Sequence, residues 1–205
     1  LTTGALTLSG ANSYTGGTTI NGGTLSLGAS NVLADTGAVN VSGGSFDIAT
    51  YSDTIGAVTL SSGSIAGTSG VLTAAGYSVT NTTGTTTISA KLAGAVSLTK
   101  SGAGSLTLSG ANSYSAGTTI NAGTLKAGGS TALGTGANTV NSGAVLDLNG
   151  YTLSTAGGLT LKGTGISNGG ALINSVTTGS ATYAGLVTLG SDTLIKSGTG
   201  NGTIL

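Results

Sequence analysis

The chain has 205 residues, a formal net charge of zero from five Lys and five Asp, 40 Gly, and no Pro, Cys, Met or Trp. A charged fraction of 5% leaves no basic patch for phosphates and no acidic run for cations, so nucleic acid is excluded as a partner and no cofactor or metal is expected. Apolar runs of three or four residues fall far short of the roughly 20 that a spanning helix needs, which argues against membrane insertion, and without Cys there is no disulfide or thiol chemistry.

A hydrophobic fraction of 38%, carried by recurring Leu, Ile and Val, argues for an ordered chain in which solubility comes from Ser, Thr and Asn. The first residue is not Met and no signal peptide precedes it, so the chain reads as a mature or excised piece of something longer.

In chain order the candidate elements are short strands. In "ALTLSG" Leu6 and Leu8 share one face, with Thr7 and Ser9 on the other. An aliphatic residue, a polar glycine turn and a second aliphatic then recur as "INGGTL" at Ile20, "VSGGSF" at Val41 and "LSSGSI" at Leu60. Similar openings follow at Val79, at Leu98 ("LTKSGAGSL"), at Ile120 ("INAGTL"), at Val140 ("VNSGAV") and at Leu161 ("LKGTGI"), and "LIKSGTG" at Leu194 echoes the stretch at Leu98. Phe46 and Ile48 flank Asp47, and Leu146 and Leu148 flank Asp147, which again is strand alternation.

These steps of about twenty residues sum to a longer repeat, since "LTLSGANSYTGGTTINGGTLSLG" from Leu6 returns as "LTLSGANSYSAGTTINAGTLKAG" from Leu106. The pattern predicts an all-β parallel β-helix, a β-solenoid of about ten rungs over residues 1–205 as one continuous unit. Within it, residues 4–103 and 104–199 form two copies of about five rungs each. A lone rung buries three or four aliphatic side chains, too few to offset the backbone entropy of about twenty residues, so each rung needs its neighbours.

"KSGAGSLTLSGANSYSAGTTINAGTLKAG" from Lys100, its degenerate copy from Gly4, and "VLDLNGY" at Val145 with its echo "SFDIATY" at Ser45 resemble the autotransporter-associated β-strand repeat of Gram-negative autotransporter passengers. The resemblance implies a right-handed helix, exported across the outer membrane and displayed at the cell surface. It implies a structural or adhesive segment of a fibre, acting in display, adhesion or self-association.

No enzyme is expected. Paired carboxylates need proximity, yet Asp47 and Asp147 are repeat equivalents about five rungs apart, and Asp35, Asp53 and Asp192 are expected on the solvated surface, as are Asp47 and Asp147. Lys91, Lys100, Lys126, Lys162 and Lys196 are scattered, and Lys100 and Lys196 read as equivalents at a turn. The C-terminal "SGTGNGTIL" has the glycines of a calcium-binding solenoid repeat without its Asp.

Two residue sets remain as candidates. Tyr14 and Tyr114, and Tyr51 and Tyr151, match by repeat and form a possible contact surface for glycans or receptors, against packing at rung corners. Asn21, Asn121 and Asn141 each follow a strand, where a left-handed backbone and a side-chain ladder are expected. The partners expected are the chain itself, laterally or end to end as a filament subunit, or host-surface glycans. Ice binding needs outward threonine ranks, and "GTTI" at Gly17 and Gly117 and "TTTI" at Thr85 do not line up in the sequence.

Overall fold

The computed structural model describes residues 1–154 and 156–197 together with the backbone of 203–204. After Ser197, the "SGTGNGTIL" stretch otherwise lies outside the described residues, as does the end of the second expected copy.

Among the described residues the chain winds into a parallel β-solenoid with one short 3-10 turn at Ile166–Asn168. Each coil contributes one strand to a ten-stranded sheet that runs from Ala5–Leu8 to Ile195–Ser197. Nearly every coil contributes a second strand to a nine-stranded sheet: Thr18–Ile20, Val39–Val41, Val58–Leu60, Tyr77–Val79, Leu98–Lys100, Thr118–Ile120, Asn138–Val140, Leu159–Gly163 and Val187–Thr193. Two three-stranded sheets fill the third side. One holds Asp53–Ile55, Val71–Ala74 and Lys91–Ala93; the other holds Thr152–Leu153, Ser180–Tyr183 and Thr203–Ile204.

The lumen is a stack of like side chains in register. Leu25 pairs with Phe46 and Phe46 with Ile65, while Ile20 pairs with Val41 and Val41 with Leu60, all at most 2% exposed. Strand alternation puts every second residue into this column, and stacking at the ~4.8 Å strand spacing makes the column continuous. Between Ser64–Ala66 and Thr85–Ile88 the register slips so that Ile65 pairs with Ile88. An even slip keeps the inward face inward. At the edge strands the same lumen positions are open, Leu6 being 44% and Leu189 59% exposed.

The structure corrects the expected register in the fifth coil. Leu98 pairs with Tyr77, and Val79 pairs with Lys100, which in turn pairs with Ile120. Lys100 therefore points into the lumen, fully buried, with its ammonium donating to the carbonyls of Gly102 and Ala122. Lys196 lies in the ten-stranded sheet and is exposed, so Lys100 and Lys196 are not equivalents. The next residue of this column after Leu161 is Leu189, a step of 28 residues whose added length falls at the 3-10 turn and at the corner between Asn174 and Ser180.

Two aspartates also depart from the expected solvated surface. Asp53 is buried, because its Oδ2 accepts the backbone N–H groups of Val32 (2.9 Å) and Leu33 (3.0 Å) and ties down the corner loop of the preceding coil. Burial pushes its carboxyl above its ordinary value, with the backbone donors of Leu33, Val32 and Thr54 pulling the other way. Asp147 sits at an outward position yet is covered, its Oδ1 accepting from Asn149 (2.9 Å) and Ser175 (3.0 Å).

Candidate interaction surface

The outward residues of the nine-stranded sheet fall into straight ranks. The central rank reads Thr19, Asn40, Thr59, Ser78, Thr99, Thr119, Thr139, Thr160, Thr188, each residue being the Cα partner of the next. Each lies between two lumen-facing residues, so alternation sends its hydroxyl or amide outward. The two "GTTI" segments are in this sheet and "TTTI" is in the ten-stranded one; what lines up is a single Thr rank, not the Thr-x-Thr pairs that an ice face needs.

The rank that follows the strands contains Asn21, Ser42, Ser61, Thr80, Ser101, Asn121 and Asn141, each donating its backbone N–H to the preceding coil. Here two of the expected ladder residues meet directly: Asn141 Nδ2 donates to Asn121 Oδ1 at 2.7 Å. Asn21 Oδ1 accepts instead from Ser42 Oγ at 2.7 Å. The left-handed backbone expected at these asparagines falls on the glycines that follow, Gly23, Gly123 and Gly143, with φ of 70°, 70° and 80°. Glycine takes that conformation without a Cβ penalty, so the asparagine need not.

The rank before the strands is made of small residues over eight strands, Gly17, Ala38, Ala57, Gly76, Ser97, Gly117, Ala137 and Gly158, and ends on Leu186, which is 77% exposed. A shallow depression lined by Ala57, Thr59, Gly76, Ser78, Ser97 and Thr99 interrupts it.

Most of the charge lies away from this face, the exceptions being Lys162 and Asp192 in its last two strands. Asp47, Lys126, Asp147 and Lys196 take strand positions in the ten-stranded sheet, Lys91 in a three-stranded one, and Lys100 the lumen. Among the described residues, the three ranks carry no ionisable side chain until Lys162, after Leu161 in the eighth strand.

The four candidate tyrosines are not brought together. Tyr114 is fully buried, its hydroxyl 2.7 Å from Thr118 Oγ1 and its ring 6.2 Å from that of Tyr77 at a 50° tilt, so it presents no contact surface. Tyr14 repeats the bond, with its hydroxyl 2.8 Å from Thr18 Oγ1, but is 41% exposed. Tyr51 is half-buried and Tyr151 is 38% exposed, both at the corner after the ten-stranded sheet, where each N–H donates to the carbonyl three residues back (Ile48, Leu148). Burial pushes the hydroxyl of Tyr77 up to about 12 and that of Tyr114 higher still, so both serve as hydrogen-bond donors at neutral pH.

Sequence reasoning passed over the corner asparagines. Asn12 and Asn112, alike in "SGANSY", each donate Nδ2 to the carbonyl one coil on, at Val32 (3.0 Å) and Ala132 (2.7 Å). Their identical place in both copies is the signal that would have found them. Asn138 has no such signal: it is buried, accepts from Thr118 N at 2.9 Å and donates to the Tyr183 hydroxyl at 2.9 Å.

A parallel solenoid with one flat hydroxyl-bearing side, free of outward charge over its first seven strands, is a scaffold of repeated contacts. The family model "Passenger-associated-transport-repeat" matches residues 3–27 and 98–127. The chain is 37% identical over 207 residues to "Adhesin BmaC autotransporter" of Brucella suis biovar 1 (strain 1330), an alignment that covers 96% of this chain and 5% of that protein. The chain carries autotransporter passenger repeats, which places it among the exported or cell-surface proteins of Gram-negative bacteria. No solved structure matches it. Among the described residues no helix is long and apolar enough to cross a membrane.

Proposed function

We propose that the chain is a non-enzymatic, adhesive length of a surface-displayed passenger, a rod that makes contacts through its uncharged polar side. The observation that carries this reading is the unbroken rank from Thr19 to Thr188 on the outer face of the nine-stranded sheet. A mere spacer has no use for an outer face that carries no charged side chain over seven consecutive strands. Hydroxyl and amide groups both donate and accept, so such a face matches many hydrogen-bonding surfaces. The similarity to a protein named as an adhesin supports the same reading.

A second reading, a glycan-binding or receptor-binding module, has Tyr14 and Tyr151 in its favour, since both are exposed enough to stack on a sugar ring. One assay separates the two. Beads carrying the 205-residue chain are expected to adhere to epithelial cells and to keep adhering after Tyr14→Ala and Tyr151→Ala. Adhesion lost with the tyrosines transfers the function to the second reading, and beads that never adhere above uncoated ones overturn the adhesive one.

A further inference from the structure

We propose that the outer face of the nine-stranded sheet docks a second copy of this chain, so that two rods lie side by side. The proposal rests on the adhesive reading and names its partner. Four features of the face select a copy of itself over other partners.

The first is electrostatic. A partner recognised by charge needs charge opposite it, and over seven consecutive strands this face offers none among the described residues. Two copies therefore meet without repulsion. The second is hydrogen-bonding character: a rank of Thr, Ser and Asn donates and accepts equally, which makes it complementary to itself. The third is periodicity. Any contact made between two coils is repeated at each following coil, because both copies carry the same strand spacing. A twofold axis across the face then gives a closed, isologous pair.

The fourth is size. The seven strands free of outward charge, at ~4.8 Å each, and about five residues at ~3.3 Å give a face about 34 Å by about 16 Å. A pair would bury about 1,100 Å², enough for a specific interface of the smaller kind. Small residues such as Ala57 and Gly76 on one flank let the second sheet approach closely, and the depression at Gly76 can receive a partner side chain. A Cβ added at Gly76 meets nothing within 4 Å, which shows how open that position is.

Sedimentation equilibrium of the full 205-residue chain over a concentration series tests this, with Thr59→Arg and Thr99→Arg as face variants and Thr107→Arg as control. Thr107 is an outward position of the ten-stranded sheet, where Lys126 is already its neighbour. Circular dichroism confirms that each variant folds. The expected result is a wild-type dimer insensitive to salt, weakened about tenfold or more by either face variant and untouched by the control.

A wild-type chain that stays monomeric overturns the proposal. So does association that Thr107→Arg disrupts and the face variants do not, or end-to-end filaments in electron micrographs that the face variants leave intact. A monomeric chain that binds a glycan array and loses that binding in Thr59→Arg gives the face to a sugar and likewise overturns it. Beads carrying a monomeric chain that still adhere to cells sink only the homotypic contact. Beads that do not adhere sink the adhesive reading as well.

Discussion

Lys100 occupies a lumen position between Val79 and Ile120, both aliphatic and both buried. Burial pulls its ammonium down to about 8 from an ordinary value of 10.5. The sign follows from proton counting: between about pH 8 and 10.5 the unfolded chain binds more protons at this site than the folded one, so stability rises with pH across that window. At about 1.4 kcal/mol per unit, the lysine costs the folded state up to about 3 kcal/mol at neutral pH relative to pH 10.5. Lys100→Met keeps the length of the side chain, removes the charge and forfeits the bonds to Gly102 and Ala122. The expected outcome is a variant at least as stable as wild type at pH 7 in urea titrations, with the wild-type rise in stability above pH 8 abolished. Parallel pH profiles for the two proteins would show that Lys100 does not titrate in the folded state as its burial requires.

The turns after the strands of the ten-stranded and nine-stranded sheets fix where each coil bends. Gly44 has φ 70° and stacks over Gly23, and a Cβ there would run into the Gly23 carbonyl oxygen. Gly44→Ala therefore combines the left-handed backbone penalty with a backbone clash that no rotamer relieves, and should cost about 2–4 kcal/mol in thermal or urea unfolding. Gly76→Ala, in open space, should change stability by less than about 1 kcal/mol. Equal effects of the two substitutions would mean that the stack of turns is not what holds the coils in place. The same turns explain what was legible in the sequence. Strand alternation in "SFDIAT" and "VLDLNG" and the period near twenty residues point to the solenoid and its ten coils, because both are local properties of the chain. The Thr rank escaped because it depends on register between coils, and register turned on reading Lys100 as a lumen residue. A lysine inside an aliphatic column breaks the pattern from which register is read. Asp53 escaped for a related reason: its partners, Val32 and Leu33, are backbone donors one coil away, which no spacing of side chains reveals.

At the scale of the whole molecule every strand pair joins consecutive coils, so cohesion is a sum of nearest-neighbour terms. Removing residues 1–28 takes away Ala5–Leu8, Thr18–Ile20 and Thr24–Leu27 and leaves Ser45–Asp47 and Val39–Val41 as the new edge strands. Those strands keep their partners on the other side, Ser64–Ala66 and Val58–Leu60, and their lumen residues become half-open in the way that Leu6 and Leu189 are. The shortened chain should therefore fold cooperatively. It should lose about 10 Å of length, two strand spacings, in small-angle scattering or electron microscopy, and its urea m-value should fall in proportion to the coils removed. Complete unfolding would instead make the stack one indivisible unit, in which the edge coil is a nucleus and not a repeat. The distinction bears directly on adhesion, since only a nearest-neighbour stack can add or lose coils while presenting the same Thr rank to whatever it touches.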